Sequence, residues 1–236
     1  MPPEPVLEVA GLRSSYGATP ILTGVDLHVG RGEIVALIGR NGVGKTTTLR
    51  CLIGLLRASG GLIRYNGQDV TRMSADSRAR LGIGYIPQGR DVFPRMTVDE
   101  NLMIGELIGG GRQSARMDLV FECFPILKER RKQMAGTMSG GQQQQLAIGR
   151  VLIGSPELIL LDEPSEGVQP SIVQMICRVL RSVRDSFGTT ILFVEQNLDT
   201  ILALAERGYV MEKGHVVAQL KRGDVSQENI RRHLLL

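Results

Sequence analysis

Cysteine is scarce in this 236-residue sequence. Cys51, Cys123 and Cys177 stand more than fifty residues apart, with no CxxC pair and no histidine at metal spacing. That excludes a disulfide framework and a zinc site, and leaves three reduced packing residues. A dominant charge sign is missing as well. The 28 Lys and Arg are set against 24 Asp and Glu, for a net charge of +4. Neither sign forms a long run, so the basic arm of a nucleic-acid-binding protein is absent. Long apolar runs are also missing: none approaches the ~18–20 residues that span a bilayer. Met1-Pro2-Pro3-Glu4-Pro5 lacks the basic and apolar regions of a signal peptide. The expectation is a cytosolic chain whose membrane role is peripheral.

What is present is 42% hydrophobic residue content, punctuated by 29 Gly and 10 Pro. Val6–Val9 and Ile34–Ile38 read as strands, with hairpin turns at Gly17 and Gly30. Ile34-Val35-Ala36-Leu37-Ile38 is apolar throughout, the pattern of a strand covered on both faces in a parallel sheet. The same type recurs at Leu158–Leu161 and Thr190–Val194, each followed by polar residues where a site can sit. Helices are expected over Val98–Leu107, Ala115–Leu127 and Gln142–Ile153, with a Gly109-Gly110-Gly111 break. Tyr209–Glu212 and His215–Ala218 flank Lys213-Gly214 as a closing hairpin, and a last helix is expected at Gln227–Leu236.

Gly39-Arg40-Asn41-Gly42-Val43-Gly44-Lys45-Thr46 matches GxxxxGK[ST] between a buried strand and a helix that opens with Thr47. Glycines let the backbone fold into an anion nest whose N–H groups face phosphates. Lys45 then reaches the β/γ oxygens and Thr46 can ligate Mg²⁺. Leu158–Leu161 delivers Asp162 toward that metal and Glu163 toward an attacking water. Ser139-Gly140-Gly141-Gln142 opens a helix as a second phosphate-binding end, able to act on a nucleotide held elsewhere.

In this order and spacing the segments resemble the nucleotide-binding subunits of ABC transporters, whose signature is an LSGGQ-type segment. The resemblance spans nearly the whole chain. It implies an α/β fold, a P-loop NTPase (RecA-like) core with an N-terminal antiparallel β part and an inserted helical subdomain. Residues 1–236 then form a single ATP-binding domain, with core over 1–89 and 156–236 and helical insert over 90–155. It further implies that Tyr16 stacks on adenine and that Gln88 contacts Mg²⁺ and water while linking the site to a transmembrane partner. The loop Gly89–Thr97 would belong to the groove that receives a coupling helix of the membrane subunit.

Two positions depart from the family pattern. Gln196 stands where most members place a histidine that senses the γ-phosphate, and none of His28, His215 and His233 falls there. A glutamine can donate a hydrogen bond or position water but carries no positive charge. Gln169, in Glu166-Gly167-Val168-Gln169-Pro170, replaces the acidic residue that usually communicates across the dimer. Val194-Glu195-Gln196-Asn197 and the Gly89–Pro94 segment are similar to the second ATP-binding subunit of branched-chain amino-acid importers. Arg40–Val43, Pro87–Arg90, the glutamines at 142–145 and Glu166–Ser171 are more similar to its relative in urea importers. Urea is thus the expected solute, with branched-chain amino acids the alternative.

The resemblance implies ATP and Mg²⁺ as ligands and a catalytic set of Glu163, Gln88 and Gln196. It implies a second, different ATP-binding subunit, or a second copy, closing head to tail over two ATP molecules. Two membrane permeases and an extracytoplasmic solute-binding protein complete the assembly, with this chain at the cytoplasmic face of the inner membrane. Three rivals fit less well. A soluble ABC-type ATPase acting on nucleic acid usually carries two cassettes or a coiled-coil insert, and a charge of +4 does not demand a polyanion. A small-molecule phosphoryl transferase leaves Ser139–Gln142 unexplained. An exporter ATPase is more often fused to its membrane domain.

Overall fold

The computed structural model describes residues 5–108 and 114–234. Its first strands are β1 (Pro5–Tyr16), β2 (Thr19–Gly30) and β3 (Ile34–Ile38), and the turn at Gly17 between β1 and β2 is a hairpin. Helix α1 (Lys45–Ile53) follows, then β4 (Gly60–Tyr65), β5 (Gln68–Asp69), α2 (Ala75–Arg80) and β6 (Ile83–Ile86). Four helices come next: α3 (Val98–Ile108), α4 (Ser114–Cys123), α5 (Pro125–Glu129) and α6 (Gly140–Ile153). The chain closes with β7 (Leu158–Asp162), α7 (Pro170–Phe187), β8 (Thr190–Glu195), α8 (Leu198–Leu204), β9 (Arg207–Glu212), β10 (His215–Leu220) and α9 (Gln227–Leu234).

The apolar strands occupy the centre because they have two faces to bury. The strand order is β5-β4-β1-β2-β10-β9-β3-β8-β7-β6. β9, β3, β8, β7 and β6 run parallel, whereas β1, β2, β4 and β5 pair antiparallel. Successive residues of a strand point to opposite faces. Accordingly Ile34, Ala36, Ile38, Ile159, Leu161, Ile191 and Phe193 join one core with helices α3 to α8. Val35, Leu37, Leu158, Leu160, Leu192 and Val194 join the other, built with β1, β2 and α1. Each such side chain, fully buried, contributes roughly 1.5–3 kcal/mol.

Two expectations need correction. Gly30 does not begin a hairpin: β3 pairs with β8 and β9, and β10 with β9 lies between it and β2. An all-apolar strand needs neighbours and cover on every side, which β2, with one alternating exposed face, cannot supply. The helix expected over Ala115–Leu127 is two helices, because Pro125 disfavours helical geometry at Phe124, which sits at φ −133° and ψ 75°. Gln144 and Gln145, polar residues of α6, are buried. The Gly109–Gly111 break and the last two residues of the expected terminal helix lie outside the described residues.

Within the helical segment, α3 crosses α6 closely, with Gly105 against the Arg150 carbonyl and no room for a side chain. No helix among the described residues is long and apolar enough to cross a membrane.

Candidate active site

The phosphate-loop residues 39–47, Gln88, Asp162, Glu163 and Gln196 lie at the carboxyl ends of β3, β6, β7 and β8, where a parallel sheet opens a crevice. The turn from β3 into α1 needs glycine at two points. A Cβ on Gly39 would meet the Met211 carbonyl at 2.6 Å, and Gly44 caps α1 at φ 107°. The resulting loop directs the first amides of α1 outward, the end of a helix that attracts anions. Asn41, Gly42, Gly44, Lys45, Thr46 and Thr47 line a cavity of about 380 Å³, together with Gln88, Glu163 and Glu166. Val43 and Arg40 complete the loop beside it, Arg40 exposed and Val43 half-buried.

Lys45 is 4% exposed. Its Nζ donates to the Gly39 carbonyl at 2.8 Å and the Arg40 carbonyl at 3.0 Å, and lies 3.6 Å from Glu163 Oε1. A buried ammonium held by carbonyls and one carboxylate is compensated yet still able to turn to a stronger anion. The Thr46 hydroxyl donates to Asp162 Oδ1 at 2.9 Å, and the Tyr85 hydroxyl to Oδ2 at 3.4 Å. Burial pushes the Asp162 carboxyl above its ordinary range, against the donors Thr46 and Tyr85 and the cations Arg50 and Lys45.

Glu163 sits at φ 44°, in the left-handed region, with its N–H bonded to the Val194 carbonyl. Non-glycine residues avoid that region, and such strain costs of order 1–3 kcal/mol. The turn separates the Asp162 and Glu163 side chains at the strand end. Burial also raises the Glu163 carboxyl; Lys45 opposes this, while the neighbouring Glu195, Asp162 and Glu166 reinforce it. A carboxyl held up in this way is suited to accept a proton from water. Gln88 Nε2 donates to Glu163 Oε2 at 3.3 Å and to Glu166 Oε2 at 2.7 Å, so the end of β6 is joined to the loop after β7.

Among the described residues no three His, Cys, Asp or Glu side chains form a metal cage. The Thr46–Asp162 pair instead offers the hard oxygen donors on which Mg²⁺ relies when phosphates and waters supply the rest.

Tyr16, Gln196 and the Ser139–Gln142 segment lie apart from this cavity. Tyr16 is 45% exposed at the end of β1, where its hydroxyl accepts from Arg50 Nη1 at 3.4 Å, and it does not line the cavity. Gln196 follows β8 with an exposed side chain and does not line it either. Ser139 caps α6: its Oγ accepts from the Gln142 N–H at 3.4 Å, and Gln142 Oε1 accepts from the Ser139 N–H at 3.0 Å. Ser139 is exposed and Gly140, Gly141 and Gln142 are half-buried, all outside the cavity.

The sequence reasoning missed Glu195. It is 2% exposed, yet its carboxylate accepts four hydrogen bonds. Ser165 donates its hydroxyl at 2.7 Å and its N–H at 3.3 Å, and the N–H groups of Gln196 and Asn197 donate at 2.9 and 3.0 Å. It thereby joins the loops after β7 and β8. The signal was available, since an acidic residue ends this apolar strand just as Asp162 ends β7. Tyr85 and Glu166 were missed too, because only the folded chain brings them to Asp162 and Gln88.

The ABC transporter family matches residues 22–166, from β2 to just past Glu163. A high-affinity branched-chain amino acid transport ATP-binding protein, BraG of Pseudomonas aeruginosa, is 47% identical over 203 residues, covering 86% of this chain and 87% of that one. The lipopolysaccharide export system ATP-binding protein LptB of Escherichia coli strain K12 is 35% identical over 226 residues, 94% of this chain and 93% of that one. A solved ATP-binding cassette of an ABC transporter in its ADP conformation superposes with a TM-score of 0.82 at 28% identity, covering 97% of this chain and 94% of that chain. The cradle at the head of α1, the strand-end carboxylates and these likenesses agree, and the chain belongs to the ABC transporter ATP-binding family: it is an ATPase whose hydrolysis is coupled to transport.

Proposed function

We propose that this chain is the ATP-binding subunit of an importer of branched-chain amino acids. The observation that carries its chemistry is the convergence of Lys45, Thr46, Glu163 and Gln88 on one cavity, with Asp162 held behind it by the Thr46 hydroxyl. In this reading residues 39–47 cradle the phosphates of ATP, with Tyr16 at the adenine end. Lys45 leaves the Gly39 and Arg40 carbonyls for the β/γ oxygens, neutralising charge that grows in the transition state. Thr46 and Asp162, with Gln88 nearby, would hold Mg²⁺, which would supply positive charge against the phosphates. Glu163 takes the proton of the attacking water, and Gln88 reports the state of that carboxylate to Glu166. Gln196 would act late, by hydrogen bonding alone, because the amide carries no charge.

Ser139–Gln142 lie outside the chain's own cavity, which supports their action on a nucleotide held by a second ATP-binding subunit. That subunit is either an unlike chain or a second copy, and closure over two ATP molecules drives the cycle. Residues 90–155 then form the helical insert of a single domain. Beside it, Leu55, Phe93, Ile104, Leu107 and Arg150 line a groove of about 560 Å³. Leu107 is 81% exposed and Leu55 60%, a surface suited to an apolar segment of a membrane permease at the cytoplasmic face.

The solute reading follows BraG and the LivF protein of Archaeoglobus fulgidus, a probable branched-chain amino acid transport ATP-binding protein 34% identical over 212 residues. They favour branched-chain amino acids over urea, to which the sequence motifs lean. Uptake of labelled leucine and labelled urea in cells carrying wild-type chain or Lys45→Ala tests it. Loss of leucine uptake alone is the expected result. Loss of urea uptake alone overturns the solute, and retention of both overturns the importer reading.

A further inference from the structure

Three segments of the site meet at Arg90, which follows Gln88 by two residues. Arg90 sits at φ 77° and Asp91 at φ 43°, two consecutive residues in a region that side chains avoid unless their surroundings hold them. The surroundings do so. Arg90 Nη2 donates to the Glu166 carbonyl at 3.2 Å and the Gly167 carbonyl at 3.0 Å, in the loop just past Glu163. The same guanidinium lies against the first residue of α6. A Cβ built on Gly140 would fall 2.8 Å from Nη1 and 3.0 Å from Cζ, so glycine there leaves room for the cation.

Two further ties fix the segment. Gln88 Nε2 holds Glu166 Oε2 at 2.7 Å, and the Asp91 carbonyl accepts from Arg150 Nη2 at 2.7 Å. Arg150 stands near the carboxyl end of α6, its guanidinium 5.0 Å from the Phe93 ring in the apolar groove. Residues 88–93 are therefore bound to the loop after β7 and to the carboxyl-terminal part of α6, and packed against its first residue. A cation at a helix N-terminus gains nothing from the helix dipole. Arg90 is held there by the carbonyls it bridges, and what it adds is a fixed distance between Glu166–Gly167 and Ser139–Gly140.

We infer that Arg90 is a positioning residue that locks the Glu166–Gly167 loop to the start of α6. Through it, a change at the chain's own Glu163 and Glu166 moves the Ser139 end that faces the partner's nucleotide. The inference rests on the reading above in which Ser139–Gln142 act on that nucleotide.

The test uses the whole complex, isolated through a tag on this chain, with Arg90→Ala, Arg90→Lys, Ser139→Ala and Arg90→Ala/Ser139→Ala. Arg90→Ala lowers kcat for ATP hydrolysis tenfold or more while KM stays within twofold, and Arg90→Lys recovers part of the loss. In the Ser139→Ala background, Arg90→Ala costs less than a further twofold, because the residue it positions is already gone. A merely structural role would lower the melting temperature and multiply with Ser139→Ala. Unchanged kcat in Arg90→Ala, or full multiplication, overturns the inference. If Ser139→Ala alone leaves kcat unchanged, the reading of an outward-acting Ser139 fails instead and takes Arg90's role with it. Should Arg90→Ala not fold, the Arg90→Lys cycle is read by the same criteria.

Discussion

Glu163→Gln isolates the proton acceptor with the least disturbance to its surroundings. The side chain is 8% exposed, with Oε1 3.6 Å from Lys45 Nζ and Oε2 3.3 Å from Gln88 Nε2. Glutamine keeps the volume and one acceptor, and turns the other oxygen into a donor beside Lys45 or Gln88. That mismatch costs about 1 kcal/mol, far less than the chemistry at stake. Loss of a general base costs roughly 10²–10⁴-fold in rate, or about 2.7–5.4 kcal/mol of barrier. Nucleotide affinity holds or rises, because one of four neighbouring carboxylates, Asp162, Glu163, Glu166 and Glu195, loses its charge next to the phosphates. The assay is single-turnover phosphate release from the complex with the partner's own nucleotide site inactivated, beside equilibrium binding of ATP. A loss of less than about tenfold, or binding that fails together with turnover, refutes Glu163 as the base.

Other perturbations reach other parts of the account. Asp162→Asn, which weakens the acceptor of the Thr46 hydroxyl and removes a charge, should raise the Mg²⁺ concentration needed for half-maximal hydrolysis by about tenfold or more, read from a metal titration. Arg78 is 2% exposed and donates to the carbonyls of Cys51, Leu52, Thr71 and Met73. Arg78→Leu strands those acceptors at the end of α1 and before α2 and should cost about 2–4 kcal/mol, a fall of roughly 5–15 °C in Tm by thermal denaturation. Burial pushes the Cys177 thiol up to about 11, so that at pH 8 about one molecule in a thousand carries the reactive thiolate. Cys177 and buried Cys51 should resist a thiol reagent in the native state and react on unfolding; rapid native labelling of both contradicts the packing described.

The central strands and the phosphate cradle were legible because their signals are local. Five consecutive apolar residues at Ile34–Ile38, rich in β-branched types and closed by glycine, fit a doubly covered strand, and Gly39, Gly44 and Lys45 mark a turn into a helix. Ser139 announces α6 by its capping box with Gln142. Non-local pairings were not legible. Gly30 looks like any turn glycine, and only the insertion of β9 and β10, from the far end of the chain, shows that β2 and β3 are not neighbours. The burial of Gln144 and Gln145 in α6 has no signal in the polar run itself. Glu195 and Glu166 acquire partners on loops distant in sequence, and nothing beside them in the chain names those partners.

The most direct test of the site is equilibrium binding of labelled ATP with Mg²⁺ to the purified wild-type chain and to Lys45→Ala. Lys45 is buried, donates to the Gly39 and Arg40 carbonyls, pairs with Glu163, and lines the cavity at the head of α1. Its replacement should weaken binding by about a hundredfold or abolish turnover while the melting profile stays cooperative. Wild-type affinity together with wild-type hydrolysis in Lys45→Ala would place the nucleotide elsewhere and contradict the account.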